Sequence, residues 1–192
     1  MTTLSILKRT VCGAAVSAAL ALALVNPGSA QGPVTVGGAP MYATKNIIQN
    51  AVNSKDHTTL VAAVKAAGLV DTLSGAGPFM VFAPTNAAFD KLPKGTVETL
   101  LKPENKEKLV KVLTSHVVGK SVMSAAISKM VADENGVHPV KTLSGAMLMA
   151  KSNGNGRLTL TDENGGTATV TIADVVQSNG IIHVIDKVLL PK

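Results

Sequence analysis

The chain has 192 residues, 46% of them hydrophobic but only 2% aromatic, with 18 lysines and arginines against 12 acidic residues and a formal charge of +6. With no tryptophan, one tyrosine and three phenylalanines, it lacks the aromatic platforms on which bases stack, so its basic balance does not point to nucleic acid. The single cysteine, Cys12, excludes a disulfide scaffold and a cysteine-ligated metal centre.

Residues 1–30 carry no acid; Lys8 and Arg9 precede an apolar run from Val11 to Val25, and Asn26-Pro27 leads to the small residues Gly28-Ser29-Ala30. This order of basic, apolar and small-residue segments predicts a secretory signal peptide, cut after Ala30. The apolar run falls short of the roughly 20 residues of a spanning helix and ends at a helix-breaking proline, so the chain is not expected to span a membrane. Cys12 lies at the start of the run rather than at its exit, which speaks against a lipidated cysteine at the cut. Removing 30 of 192 residues leaves 162, and losing Lys8 and Arg9 from 18 basic residues leaves 16 against 12, a net charge of +4. A cysteine-free secreted domain of this size must be held by its core.

Residues 31–45, rich in Gly and Pro as far as Pro40, read as a flexible leader, and 46–192 as one domain. From Asn46 to Gly75 the pattern is helical. Leu60, Val61 and Val64 share a face, Ser54 or Asp56 is placed to cap the start, and Gly68 to close the end. Phe79 to Ala83 is a strand with two apolar faces, expected to be buried on both. Pro84 ends it, Thr85 is placed to cap the helix that follows, and Pro84 and Phe89 have the spacing of a hydrophobic staple. Helices are predicted at about 95–101 and 103–114, with Pro103 at a first helical position and Leu109, Val112 and Leu113 as the buried stripe. The basic stretch here has Glu104 and Glu107 four residues before Lys108 and Lys111, the spacing of ion pairs on a solvated helix face. Another helix is predicted at about 121–131. Beyond Asn135 the period becomes two, with strands expected at 137–140, 146–150, 157–161, 168–173 and 181–185 between Gly- and Asn-rich turns. Helices first and strands afterwards indicate an α+β domain.

Asp-Glu-Asn-Gly occurs at 133–136 and 162–165, and Thr-Leu-Ser-Gly-Ala at 72–76 and 142–146. Both are turn compositions too short to mark a duplication, and the second Asp-Glu-Asn-Gly lacks the alternating ligands and distant Glu of a calcium loop. His57, His116, His138 and His183 have no metal-ligand spacing, and no nucleophile elbow, phosphate loop or His-Glu-x-x-His helix appears. His183 and Asp186, three apart on a strand, face opposite sides. His116, between apolar neighbours, reads as a buried, hydrogen-bonded core histidine. Neither an enzyme nor a bound cofactor is expected.

All three phenylalanines fall within Phe79-Met-Val-Phe-Ala-Pro-Thr-Asn-Ala-Ala-Phe89. That stretch resembles the first homology segment of fasciclin domains, and Asn179-Gly-Ile-Ile-His-Val-Ile-Asp-Lys-Val-Leu-Leu-Pro191 resembles the second. Val112 to Gly119 is similar to the segment between them, except that Ser115 stands where an aromatic is common and Val118 runs directly into Gly119 without a Pro. The resemblance covers about residues 47–191. It implies a β-wedge or sandwich with helices packed around it, in a secreted, periplasmic or cell-surface module that binds extracellular or cell-surface macromolecules. It also makes Phe79, Phe82, Thr85, Asn86, Phe89, His116 and His183 the structural hub rather than a ligand row. The partner surface is then expected on Lys102, Lys106, Lys108 and Lys111, on a monomer. The alternative is carriage of a small apolar ligand such as a pigment or lipid, with Met123 and Met130 seven apart on a helix and Met147 and Met149 on one strand face as its lining; core filling explains the same methionines.

Overall fold

The computed structural model describes residues 33–93, 95–152 and 157–192, and the expected signal peptide lies outside them. Two short strands come first, β1 (Val34–Val36) and β2 (Ala39–Met41), paired antiparallel. Gly37 and Gly38 between them both have positive φ, 59° and 74°, as a two-residue hairpin turn of matching twist requires. From Val34 onward the expected flexible leader is thus corrected. Val36 and Met41 are 2% and 4% exposed, and this alternating burial outweighs the Gly and Pro content that reads as a loop.

The helical run from Asn46 to Gly75 is divided into α1 (Ile47–Ala51), a 3₁₀ turn (Lys55–His57), α2 (Thr58–Ala67) and α3 (Val70–Ser74). Asn46 caps α1 in a capping box with Gln49, and Gly68, in the left-handed conformation, ends α2. Neither Ser54 nor Asp56 caps α2. The Ser54 hydroxyl donates to the Val36 carbonyl at 3.2 Å and ties down the hairpin. The cap of α2 comes from 27 residues away, as described below.

After β3 (Phe79–Pro84) and α4 (Asn86–Asp90) come α5 (Thr96–Leu101), a 3₁₀ turn (Pro103–Asn105), α6 (Lys106–Thr114), β4 (Val117–Val118) and α7 (Ser124–Asp133). The C-terminal third is a run of strands: β5 (His138–Lys141), β6 (Met147–Ser152), β7 (Leu158–Thr161), β8 (Thr167–Gln177) and β9 (Gly180–Ile185). Their order in the sheet is β4-β3-β9-β8-β7-β6-β5. Among the described residues only β3 and β9, the strands of the two homology segments, pair in parallel; Phe82 is opposite His183. The Leu143 N–H, in the β5–β6 turn, donates to the Val117 carbonyl of β4 at 2.7 Å, joining the two ends of the sheet into a near-barrel. Strand β8 is long because it bends: its register with β9 shifts twice between Val170 and Val175, and Asp174 has φ 57°. A bulge of this kind lets one strand serve two parts of a curved sheet.

The buried residues form two clusters, with β3 and β9 between them. Val81 and Ala83 face the helices with Leu60, Val64, Leu109 and Leu113. Met80 and Phe82 face the curved sheet with Leu148, Leu160, Ile127 and Ile185. A strand buried on both faces explains why Phe79 to Ala83 shows no polar alternation. Gly180 opens β9 where a Cβ would lie 2.0 Å from the Phe79 carbonyl oxygen, so only glycine fits that close approach. Asn179 beside it accepts from the Ile47 N–H and donates to the carbonyls of Leu73 and Gly75. One buried side chain thereby holds the start of α1 and the end of α3 on the β3–β9 pair.

Candidate binding surface

The three phenylalanines do not form one cluster. Phe82 is fully buried on the sheet side, with its ring stacked on His183 at 5.7 Å between centroids and 28° between planes. Phe89, 8% exposed, belongs to the helical cluster, and half-buried Phe79 packs against it. Thr85 occupies the N-cap position of α4, but its hydroxyl makes no cap bond; its backbone carbonyl accepts from the Ala88 and Phe89 N–H groups. The capping role expected of Thr85 is thus corrected. Asn86, one residue on, caps α2 instead: its Oδ1 accepts from the Thr59 N–H at 3.0 Å and its amide donates to the Lys55 carbonyl at 2.8 Å. The amide is longer than a hydroxyl and reaches across to a neighbouring helix whose first N–H groups have no partner of their own.

His116 and His183 are both buried, and their ring nitrogens are spent on backbone groups. His116 donates from Nδ1 to the Val112 carbonyl at 2.8 Å and accepts at Nε2 from the Leu189 N–H at 3.0 Å. These partners fix a neutral ring, and burial lowers its pKa to about 4 against the opposing pull of the Val112 carbonyl and Asp162. His183 accepts at Nδ1 from the Asp174 N–H and donates from Nε2 to the Val122 carbonyl, both at 3.2 Å; burial lowers its pKa too. Asp174 turns its carboxylate to the Ser124 N–H and hydroxyl at the start of α7. Neither imidazole is left free to move a proton for a substrate.

The exposed chemistry lies elsewhere. Lys102, Lys106, Lys108 and Lys111 are all exposed, while Leu109, Val112 and Leu113 anchor α6 to the core. The Glu104–Lys108 and Glu107–Lys111 ion pairs expected from spacing are not formed; among the described residues the ion pairs are Lys91–Asp186 and Glu134–His138. Glu104 sits in the 3₁₀ turn before α6, off the helical register. Lys111 reaches instead to the Lys192 carbonyl oxygen at the end of the chain.

Met123, Met130, Met147 and Met149 are 46%, 38%, 39% and 43% exposed. They neither fill the core nor line a cavity, which corrects the methionine-lined pocket. Narrow apolar clefts lie instead on the helical side of β3; one, with a cavity volume of about 30 Å³, is bordered by Ile48, Val61, Val64, Val70 and Val117. Sequence reasoning also missed the roles of Asn179 and Asp174, whose carboxamide and carboxylate reach Ile47 and Ser124, more than 40 residues away.

The chain matches the family model described as the Fasciclin domain over residues 55–191. It is 49% identical to Protein sll1483 of Synechocystis, over 76% of this chain and 73% of that protein. With Immunogenic protein MPT70 of Mycobacterium tuberculosis it shares 34% identity over 91% of this chain and 90% of that protein. A FAS1 domain pair from the insect cell adhesion molecule Fasciclin I superimposes with a TM-score of 0.67 at 20% identity, over 76% of this chain and 51% of that one, a likeness of fold to about half of that structure. A match that spans the helical layer, both homology segments and the closed sheet places the chain in the fasciclin family.

Proposed function

We propose that the protein is an exported, non-enzymatic module that attaches to an extracellular or cell-surface macromolecule, with the lysine face of α6 as its contact. The observation that carries this is the set of exposed lysines around α6, of which Lys102, Lys106 and Lys108 are in no ion pair among the described residues while Lys111 turns to Lys192. Unpaired cations on a rigid, well-anchored helix are available to an acidic partner, and they act chiefly by steering its approach. The insect cell adhesion molecule with the same fold supports binding as the general role.

Attachment through this face should weaken clearly between low salt and ~0.15 M, where the screening length falls to about 8 Å. K106E/K111E should slow association while leaving stability within roughly 0.5 kcal/mol. A pull-down with the domain 31–192, followed by binding kinetics on the captured partner, checks both; salt-insensitive binding that survives the double reversal removes this face. Export has its own test: protein recovered from the envelope or medium should have an intact mass lacking residues 1–30, with Gln31 first. A full-length mass in soluble protein would contradict it.

Carriage of a small apolar ligand is the second reading; the narrow apolar cleft beside α1, α2 and α3, not the methionines, would have to open to take it. Native mass spectrometry of freshly purified protein separates the two, since a carrier retains a non-covalent mass and a contact module does not.

A further inference from the structure

We propose that the outward face of the β5–β8 sheet is a second contact surface, one that holds an acidic polysaccharide. The proposal rests on the reading of the protein as an extracellular binding module, but not on α6.

Alternation divides this sheet cleanly. Val140, Leu148, Ala150, Leu158, Leu160 and Ala168 point inward, each at 8% exposure or less, and α7 covers that side through Ile127 and Val131. The positions between them face outward. Met149 is paired with Pro139 on one side and Thr161 on the other, and Thr161 with Thr167. The next row runs Lys151, Thr159, Thr169. Threonines thus stand in directly opposed pairs, about 5 Å apart across strands and roughly 7 Å along them. Met147 and Met149 are 39% and 43% exposed, so no described element covers this face.

Its charge is mostly positive, with the exposed Glu163 carboxylate at the Met147 end. Lys141, Lys151 and Arg157 are exposed at outward positions, and none of the three is in an ion pair among the described residues. Lys141 is opposite Met147, four residues from Lys151, which puts the two roughly 14 Å apart; Arg157 follows about 8 Å beyond. The carboxylates at the border are engaged. Glu163 accepts from the Met147 and Lys192 N–H groups, Asp186 accepts from the Thr169 N–H and lies 3.7 Å from the Lys91 ammonium, and Glu134 pairs with His138.

The chemistry narrows the partner. Cations spaced along a strand direction suit an extended polyanion, and a hydroxyl array offers donors and acceptors to a partner rich in the same groups. The thioethers of Met147 and Met149 present adaptable apolar surface to the C–H faces of sugar rings. The face lacks the aromatic side chains that would stack on bases or settle in a membrane interface. Pro139, with no N–H, and Lys141 blunt the free edge of β5 against an added peptide strand.

The test uses the domain 31–192 on immobilised dextran sulfate and alginate, with uncharged dextran as the neutral control. Both acidic polymers should bind and dextran should not. Binding should fall more than about tenfold between roughly 0.05 and 0.2 M salt, as expected for a site that neutralises several charges of a polyanion. K141E/K151E should weaken it by roughly tenfold or more at an unchanged urea midpoint, and K106E/K111E by less than about twofold. T161V/T167V, which keeps charge and shape, should weaken it by roughly threefold or more through lost hydroxyl contacts. Wild-type-like binding by K141E/K151E overturns the proposal. So does loss confined to K106E/K111E, which leaves the binding-module reading intact on α6. Binding to phosphatidylglycerol vesicles without binding to either polymer replaces the polysaccharide by a lipid surface, and binding to none of these probes removes the face altogether, with the pull-down left to judge the module itself.

Discussion

Phe82→Ala is expected to lower stability by about 3–5 kcal/mol, the range for emptying an aromatic core site. The residue is fully buried on the sheet side of β3, among Met80, Ile185 and Leu189. Its N–H donates to the His116 carbonyl at 2.9 Å, so the backbone on both sides is fixed and cannot collapse into the space left by the ring. Truncation also strips the stacking partner from His183, whose ring holds the bend of β8 and the start of α7 through Asp174 and Val122. With a urea slope of about 2 kcal/mol per M, the midpoint should drop by roughly 1.5–2.5 M. Phe79→Ala, at a half-buried position, should cost less. A Phe82→Ala protein that keeps its midpoint but loses its partner would instead make this stretch the recognition site.

The contrast between Phe82 and Thr85 shows where local reading works. A strand buried on both faces announces itself by the absence of polar alternation, so β3 was legible, and period two marked β5, β6, β7 and β9 to within about two residues. Strand β8 was cut short in the reading because its C-terminal half bends through Asp174 to pair with β9, and nothing local encodes a bend made by a partner strand. Likewise the caps of α2 and α7 come from Asn86 and Asp174, residues that their own helices' sequences cannot reveal. Strand β4, two residues long, exists because β3 offers an edge to it. The β1–β2 hairpin is not legible locally because Gly37 and Gly38 read as looseness, while the core that buries Val36 and Met41 is built by residues far away in the sequence. For the candidate surface, charge and spacing located the lysines of α6 but not their partners: Lys111 turns to the chain's own end, a contact set by tertiary placement. The outward sheet face was legible only in part, since Lys141, Lys151 and Arg157 become one surface only once the strand register is known.

Acidification should destabilise the protein before its carboxylates titrate, and His116 should lead. The ring is neutral in the folded state because Nδ1 donates to Val112 while Nε2 accepts from Leu189. A second proton on Nε2 would face the Leu189 N–H and break the bond that fastens the C-terminal segment, beside the Leu190 N–H held by Asp162. Burial holds the folded pKa at about 4 against 6.5 for the free ring. Above pH 6.5 both states are neutral and the contribution is complete. Between 6.5 and 4 the unfolded chain binds the proton and the folded one does not, so stability falls with pH, by a total of about 3 kcal/mol once the folded pKa is reached. His57 and His183 are lowered by burial as well, so they act in the same direction over the same upper limit. Urea midpoints at pH 7.5, 6.5, 5.5 and 4.5 check this, because Asp and Glu are mostly ionised down to about pH 5. H116Q should be less stable at pH 7.5 and should show a shallower decline toward pH 4.5, since one of the three titrating rings is gone. A wild-type midpoint that is flat from pH 7.5 to 5, or an H116Q protein that keeps the full slope, would show that the proton is taken up elsewhere and that the Val112–His116–Leu189 bridge is not what acid breaks.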